Sequence, residues 1–424
     1  MKLSRSTLTL ALLAALVAPA AHAEIAIDVI GGSEVSFEGL VQADGNWYDN
    51  DFADLNAGTT TANGGDGKNS EFDLRRAEMV LKGKGPGNFE WVLGYDGKAN
   101  KFLDSNIKYK VGGNANQYFQ FGQFKQPNSL EELSSTKNND FISKAAVTNT
   151  FAVARRLGGA YSYGDSNWSI TGSYFGRELT RNLAHGSGYG VRGTFAPINE
   201  SGNILHLGLA YTDYDTDADT FRVRARPDAD LALVRLVDGG NMTDTDRISI
   251  VSGEAMWVHG PFKLQGEYYS ADLERYGAGH GNYKTDGGYI SGVWNISGET
   301  WGYKAGVPST PLPQDPGKGM WQVGLRYDTI DLNDGKLIAP VAPGTTPTVD
   351  GVLGGEMSTW TVGVNWYLRS NFKLALNYVI VDSSRYITRT SANYSEDAAN
   401  NNATFNRVVD DNPNILEARL QFYW

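Results

Sequence analysis

Trp360-Thr-Val-Gly-Val-Asn-Trp366 is the stretch of the sequence that decides the fold. Large apolar side chains occupy every second position, and small or polar residues stand between them. Because a β-strand sends successive side chains to opposite faces, this spacing predicts a strand with one apolar and one polar face. The same alternation recurs at Trp168–Tyr174, Tyr189–Phe195, Phe262–Tyr268, Trp321–Tyr327 and Phe372–Tyr378.

The predicted strands carry aromatic residues near their ends and basic residues at many positions of the polar face. Strands of about ten residues with these features are expected where lipid lies outside a wall and water lies inside it. A soluble β-sandwich would also alternate, but it would not need aromatic residues at both ends of nearly every strand. We therefore predict an all-β fold, a transmembrane antiparallel β-barrel.

The connections between strands alternate between short and long, as short periplasmic turns and long extracellular loops do in such barrels. Short ones are predicted near 84–87, 112–116, 163–166, 196–203, 258–261 and 369–371, and long polar ones near 46–71, 125–157, 176–187, 213–247, 271–286, 333–357 and 383–413. Strict up-and-down order also requires 97–104 outside and the long segment 298–319 on the periplasmic side. The count then closes at 16 strands with both termini periplasmic, and a barrel of about this size encloses a water-filled channel.

The first residues have the pattern of a secretory signal peptide. Lys2 and Arg5 precede the apolar run 8–17, and Ala21-His-Ala23 offers a small-residue cleavage site. We expect residues 1–23 to be a signal peptide and 24–424 to be the outer-membrane β-barrel domain. Loss of the two basic residues would lower the net charge from −11 to −13.

Enzyme classes find little support in the sequence. The histidines after residue 23 have no metal-ligand spacing, and the chain has neither a Gly-x-Ser-x-Gly elbow nor a phosphate-binding loop. Asp213-x-Asp215-x-Asp217 begins like a calcium loop but has Ala218 and Arg224 where such a loop needs Gly and Glu. We expect no catalytic residues, no metal, no cofactor and no nucleic-acid partner.

The segment from Phe121 to Gly158 carries a family resemblance. It contains Phe121-Gly-Gln-Phe-Lys-Gln-Pro-Asn-Ser-Leu-Glu131, then Ser134-Ser135, and finally Ala154-Arg-Arg-Leu-Gly158. This segment resembles the strand and third loop of the phosphate-selective porins O and P. Shorter pieces that also resemble the family are Phe72–Ala77, Gly193–Pro197, Gly202–Gly208, Arg326–Asp328 and Gly363–Tyr367.

The resemblance implies a homotrimer of 16-stranded barrels in which inward-folded loops narrow each pore. Lys137 follows Ser134-Ser135 as the family's constriction lysine does. The basic residues that the resemblance implies along the anion path are Arg75, Arg76, Lys137, Arg222, Arg224, Arg226, Lys304 and Lys318. Lys125 and Arg155, which flank the third loop, complete the set of candidates. The chain departs from the family at Phe141-Ile-Ser-Lys144, which lacks the usual Glu-Arg pair, and at Lys125, where one phosphate-specific member has Asp.

Arginine and lysine suit an anion path because they replace the water around a phosphate with fixed donors. Arg222, Arg224 and Arg226 are spaced by two, so an extended segment would direct all three the same way. The alternative is a solvated loop whose charges are neutralised by a row of nearby aspartates, namely Asp213, Asp215, Asp217 and Asp219.

Two further expectations concern basic residues on the strands themselves. Arg75 and Arg76 are adjacent, so on a regular strand only one of them faces the lumen. Five basic residues of the inner wall are expected to be largely paired with acids such as Glu267, Asp328 and Glu417; they are Arg192, Lys263, Arg326, Lys373 and Arg419.

The function that these observations favour is passive, facilitated diffusion of inorganic phosphate or polyphosphate through the bacterial outer membrane. The barrel would contact membrane lipid and lipopolysaccharide. A general or differently selective porin, with its basic residues mostly paired, is the first alternative. An outer-membrane barrel enzyme is the second alternative.

Overall fold

Sixteen strands form the wall of a single closed barrel in a computed structural model that describes residues 25–30, 33–56, 68–180, 185–339, 347–369, 371–388 and 406–424. Numbered β1 to β16, they are Ser33–Asp49, Ser70–Lys84, Phe89–Asp96, Lys101–Lys110, Tyr118–Lys125, Arg155–Gly164, Trp168–Phe175, His185–Glu200, Asn203–Thr216, Thr245–His259, Phe262–Arg275, Tyr283–Asn295, Met320–Ile338, Thr348–Leu368, Phe372–Ile387 and Asn414–Tyr423. The predicted signal peptide lies outside the described residues.

Each wall strand pairs antiparallel with the next, and the last returns to the first. Leu40 to Asp49 of β1 pair with Tyr423 to Asn414 of β16, which closes the barrel. Apolar side chains such as Trp360 are exposed on the outer face, whereas Thr361 of the next position is buried inside. The predicted barrel of 16 strands, and the alternation on which the prediction rests, are therefore confirmed.

The two ends of the barrel differ. Turns such as 201–202 and 260–261 lie at one end, the turn end, together with one long connection, 296–319, which we call the long turn. The other end, the loop end, carries the connections 126–154 and 217–244, which we call loop 3 and loop 5.

Short elements complete the described chain. Helices α1 (Leu130–Leu133) and α2 (Ala146–Phe151) lie in loop 3, and no helix of the described chain is long and apolar enough to cross a membrane. The 3₁₀ turns are Val111–Gly113, Thr136–Asn138 and Asp217–Asp219. The remaining short strands are Ile25–Ile30 beside β1, Arg407–Asp410 beside β15, and two ribbons, Arg224–Ala225 with Val237–Asp238 and Gly302–Lys304 with Val307–Ser309.

One predicted turn, 196–203, is shorter in the structure than the sequence indicates. Strands β8 and β9 continue through most of this segment and meet at Ser201–Gly202. The register between these strands shifts where Ala196 and Pro197 lie opposite the single residue His206. A β-bulge tolerates a proline because it interrupts the ladder of hydrogen bonds, so Pro197 marks a bulge rather than a turn.

A second bulge corrects the expectation for Arg75 and Arg76. In the pairing of β1 with β2, Gln42 lies opposite Arg76 and Ala43 lies opposite Leu74, so Arg75 is the extra residue. The exposed, lipid-facing side chains accordingly change from even positions (Phe72, Leu74) to an odd one (Met79). Because two adjacent residues share one side of the sheet at a bulge, both arginines face the lumen.

The lumen is filled on one side and open on the other. Apolar residues of loops 3 and 5, among them Val147, Val223 and Leu236, pack in one cluster against inner residues of β9 to β16. Inner side chains of β10 to β12 are largely buried, whereas those of β2 to β5 are largely half-buried. The two loops therefore leave the open path beside the first half of the wall.

Candidate pore and anion-binding residues

A cavity of about 540 Å³ occupies the open part of the lumen. Inner residues of β1 to β8 form its wall, and loop 3 and the long turn form the opposite side. Its lining contains six basic residues and three acidic ones, so basic residues exceed acidic ones by three. They are Lys82, Lys108, Lys125, Lys137, Arg155 and Arg192, against Glu38, Glu78 and Asp104.

Loop 3 enters the lumen as a capped helical segment. The carboxylate of Glu267 on β11 accepts the backbone N–H groups of Leu130 (2.9 Å) and Glu131 (2.7 Å) at the start of α1. The hydroxyl of Ser129 accepts the N–H of Glu132 (3.0 Å). These acceptors satisfy the donors that a helix leaves unpaired at its first turn, so the position of α1 is fixed by the barrel wall.

Lys137 reaches the cavity just beyond α1. Its Nζ lies 3.7 Å from the carboxylate of Glu38 and 5.6 Å from the ring centroid of Tyr423. Glu38 and Tyr423 belong to β1 and β16, so Lys137 lies over the seam where the barrel closes. Its side chain is about one-third exposed, which leaves the ammonium accessible from the cavity.

Lys125 lines the same cavity but also holds loop 3. Its Nζ donates to the carbonyls of Glu132 (2.5 Å) and Ser134 (3.1 Å). Glu132 itself lies between Lys125 and Lys144. Burial favours a higher pKa for Glu132, but the two ammonium groups outweigh it and lower the pKa to about 2.

Arg155 shares the cavity wall with Asp104, to which it donates at 2.8 Å. Lys82 likewise pairs with Glu38 at 2.6 Å, so Glu38 faces two lysines. Each of these acids is partly exposed, so water can compete for the basic group. Such exposed pairs are weak, since screening and side-chain entropy offset most of their attraction.

Arg75 and Arg76 lie nearer the loop end. Arg75 donates to the carboxylate of Asp230 in loop 5 through Nε (3.1 Å) and Nη2 (2.9 Å), and Arg76 donates to Glu78 (3.0 Å). Burial favours a higher pKa for Asp230, but Arg75, Arg419 and Arg76 lower the pKa to about 2. Arg75 therefore ties loop 5 to the wall at the bulge.

The three arginines of loop 5 lie on one side of an extended segment, as their spacing predicts. Val223 and Ala225, which alternate with them, are buried in the lumen core. Arg222 pairs with Asp238 through Nε at 2.8 Å, and Arg226 approaches the carbonyl of Asp230 at 3.5 Å. Arg224 is exposed, and no carboxylate of the described chain lies within 4.0 Å of it.

Two of the four aspartates considered as neutralising partners have other neighbours. Asp213 pairs with Arg247, and Asp219 accepts from Tyr276. Arg235, which the sequence analysis did not single out, adds another positive charge to loop 5. Burial and the nearby charges of Arg226 and Arg224 lower the pKa of Arg235 to about 10. The three arginines therefore lie close enough together in loop 5 for their charges to repel.

Lys304 and Lys318 lie in the long turn and are absent from the cavity lining. Lys318 pairs with Asp315 at 3.6 Å and is 86% exposed. Lys304 is exposed at one end of the ribbon 302–309, whose Ala305 and Val307 do reach the cavity. Both lysines thus stand apart from the group around Lys137.

Lys108 is, with Lys82, one of two basic cavity residues that the sequence analysis missed. Its Nζ lies 4.0 Å from the ring centroid of Tyr118, and none of the carboxylates in the described residues comes within 4.0 Å of it. Its position between the exposed residues Ile107 and Tyr109 was the available signal, since alternation directs Lys108 inward.

The five basic residues of the inner wall are partnered, as expected, but with other groups than the acids named from the sequence. The partners are Glu254 for Arg192, Asp140 for Lys263, Asp228 for Arg326, the Asn139 carbonyl for Lys373 and Asp44 for Arg419. Asp140, Asn139 and Asp228 belong to loops 3 and 5, and Arg419 also donates to the Ile142 carbonyl of loop 3 at 2.7 Å, so four of these five residues hold loops.

Comparison with known proteins identifies the lineage of this barrel. The family described as phosphate-selective porin O and P matches residues 41–424. Porin O of Pseudomonas aeruginosa is 26% identical over 410 residues, which span 84% of this chain and 87% of that protein. Among solved structures, OmpT of Vibrio cholerae matches with a TM-score of 0.56 at 11% identity, covering 94% of this chain and all of that one. An anion-selective porin of Comamonas acidovorans matches with a TM-score of 0.52 at 12% identity, covering 92% of this chain and all of that one.

The structural matches agree in fold, and the family match spans nearly the whole described barrel. The protein is a porin of the bacterial outer membrane, with its turn end periplasmic and its loop end extracellular. It belongs to the phosphate-selective porin O and P family.

Proposed function

We propose that this porin is an anion-selective channel that passes phosphate or polyphosphate by facilitated diffusion. The observation that carries the proposal is the cavity lining, in which basic residues outnumber acidic ones by three although the chain as a whole has a net charge of −11. Selectivity in a pore follows the local field rather than the total charge.

The arrangement of the basic residues supports a sequence of weak sites. Arg224 is exposed at the extracellular end. Lys137, Arg155 and Lys108 line the cavity, and Lys108 has no carboxylate partner in the described chain. Conduction requires sites that bind strongly enough to admit an ion and weakly enough to release it. Partly exposed pairs such as Arg155 with Asp104 meet both conditions.

Assembly as a homotrimer in lipid and lipopolysaccharide is part of the proposal, as is export directed by residues 1–23. A trimer form of the Vibrio cholerae OmpT has been solved, with a TM-score of 0.52 to this chain. The mass of the detergent-solubilised protein measured by light scattering tests the trimer, and sequencing of the mature amino terminus tests the cleavage site.

Planar-bilayer recordings test the channel function. With potassium chloride on both sides, phosphate added to one side should reduce the chloride current in a saturable way. A salt gradient should give a reversal potential on the anion-selective side. Chloride current that phosphate leaves unchanged would refute phosphate selectivity, and a reversal potential near zero would instead identify a general porin. Comparison of orthophosphate with tripolyphosphate assigns the preferred anion.

A further inference from the structure

The backbone of loop 3 from Lys137 to Asp140 is held by side chains from three wall strands and the long turn. The carbonyl of Lys137 accepts from Gln421 Nε2 at 2.8 Å, and that of Asn138 accepts from Thr310 Oγ1 at 3.2 Å. In the next two positions, the carbonyl of Asn139 accepts from Lys373 Nζ and that of Asp140 accepts from Asn365 Nδ2, both at 2.6 Å. Four consecutive carbonyls are thus fixed from outside the loop.

The donors reach loop 3 from widely separated parts of the chain. Gln421, Lys373 and Asn365 lie on β16, β15 and β14, and Thr310 lies in the long turn. Further along, the carbonyls of Ile142 and Ser143 accept from arginines on β16 and β13. A loop held this densely through its backbone is expected to keep one conformation while its side chains remain available to the cavity.

Lys373 is the informative member of this set because it is a buried lysine. It is 3% exposed and lies 4.9 Å from the ring centroid of Tyr367. No carboxylate in the described part of the chain lies within 4.0 Å of its ammonium group, whose hydrogen bond goes to the Asn139 carbonyl. Lys373 is also absent from the lining of the cavity, so a passing anion does not reach it.

Gln421 connects the constriction to the closure of the barrel. Its Oε1 accepts from Gln42 Nε2 at 2.6 Å while its own Nε2 donates to the Lys137 carbonyl. Gln42 and Gln421 are register partners of β1 and β16, and both are fully buried. The seam of the barrel therefore determines where the backbone of Lys137 lies.

We infer that Lys373 and Gln421 are positioning residues, which act on the permeating anion through Lys137 and do not bind it themselves. The inference rests on the proposed function, because it assigns the residues that place the constriction lysine. It also makes a prediction about the chloride current alone. We call the four side chains that donate to the carbonyls of residues 137–140 the clamp. If the clamp fixes loop 3, then weakening the clamp should increase fluctuations of the open-channel current even without phosphate.

Two substitutions of Lys373 separate positioning from binding. Lys373→Met and Lys373→Gln both remove the charge, but glutamine retains an N–H group for the Asn139 carbonyl. We expect Lys373→Met to increase open-channel current noise and to weaken phosphate block about fivefold to tenfold, the change expected from one lost positioning hydrogen bond. We expect Lys373→Gln to stay close to the wild type in both measurements. Equal weakening of block in the two variants, without added noise, would overturn the inference.

Gln421→Met provides a second test that leaves every charge in place. We expect it to increase chloride-current noise and to weaken phosphate block, and unchanged noise and block would overturn the inference. Heat-dependent mobility on denaturing gels verifies that each variant forms the barrel. Lys284→Met removes one positive charge from an exposed lysine on the outside of the barrel and is the matched control for the loss of charge in the Lys373 variants. If phosphate fails to block the wild type, the proposed function fails, whereas the noise measurements still decide whether the clamp exists.

Discussion

The ammonium group of Lys108 lies 4.0 Å from the ring centroid of Tyr118, and no carboxylate in the described residues neutralises it. Both residues line the cavity. A lysine over an aromatic ring is held in place by the negative face of the ring but keeps its donors for another partner. Lys108 is therefore the residue of the cavity wall that best fits the proposed anion path.

Lys108→Met should shift the reversal potential toward zero and weaken phosphate block by about twofold to fivefold, because a partly exposed charge contributes at most ~1 kcal/mol. Reversal potentials in a tenfold chloride gradient and block curves measure both effects. Lys336→Met removes one charge from an exposed position of β13 and is the control. An equal shift in both variants would contradict a specific role for Lys108.

Arg224 and Arg222 form a matched pair in loop 5. Arg224 is exposed without a described acid partner, whereas Arg222 pairs with Asp238. We expect Arg224→Met to slow phosphate capture several-fold at low salt and much less at high salt, because steering by exposed charges is screened. Arg222→Met should have the smaller effect. Current-block kinetics at two ionic strengths give the capture rates, and a larger effect of Arg222→Met would refute this order.

The attachment of loops 3 and 5 should persist in acid. The pKa values of Glu132 and Asp230 are lowered to about 2, so their ion pairs stabilise the loops fully above the unfolded pKa near 4 and lose this contribution as the pH falls toward 2. The difference in open-channel noise between the wild type and Asp230→Asn should therefore stay constant from pH 7 to about 4 and disappear as the pH falls toward 2. Asp230→Asn should already be noisier at pH 7. A noise difference that shrinks between pH 7 and 5 would contradict the assignment.

Substitution of Leu236 tests whether apolar packing inside the lumen holds loop 5 in place. Leu236 is fully buried between loop 5 and the wall, so Leu236→Ala should destabilise the packed loop by about 2–4 kcal/mol through lost contacts and a cavity. Trypsin should then cleave loop 5 at its arginines at least about tenfold faster in intact outer membranes, since cleavage requires the backbone of the loop to open locally. Leu209→Ala, at an outward position of β9 that is 64% exposed, is the control and should leave cleavage unchanged. Equal cleavage rates in the two variants would refute a packed insert.

Substitution of Arg75, the extra residue of the bulge in β2, tests whether its ion pair with Asp230 attaches loop 5 to the wall. Arg75→Met leaves Asp230 without its closest partner, so loop 5 should detach and anion selectivity should fall. The partly exposed pair should contribute about 1–2 kcal/mol, below the range of fully buried pairs. Arg76→Met should instead leave loop 5 attached. Trypsin cleavage of loop 5 compares the two variants, and faster cleavage in Arg76→Met alone would show that the roles are exchanged.

The strand pattern could be predicted because a period of two is a local property of the sequence. The bulge at Arg75 could not, since it depends on which residue of β1 lies opposite. The bulge at Pro197 likewise depends on which residue of β9 lies opposite, so the sequence alone led to the prediction of a turn there. The roles of the basic residues depend on where loops 3 and 5 pack, and this is decided by contacts between distant parts of the chain. Lys373 and Lys108 are both inward lysines in alternating strands, yet one is buried under loop 3 and the other faces water.

The one-sided filling of the lumen has a consequence for how such channels diverge. Residues on β2 to β7 that contact the water path are largely separate from those on β9 to β16 that pack against the inserted loops. Substitutions in the first group can change the preferred solute with little loss of stability, whereas substitutions in the second group affect folding first. A lineage can therefore acquire new permeants through changes in the water-facing strands while it preserves the packed half.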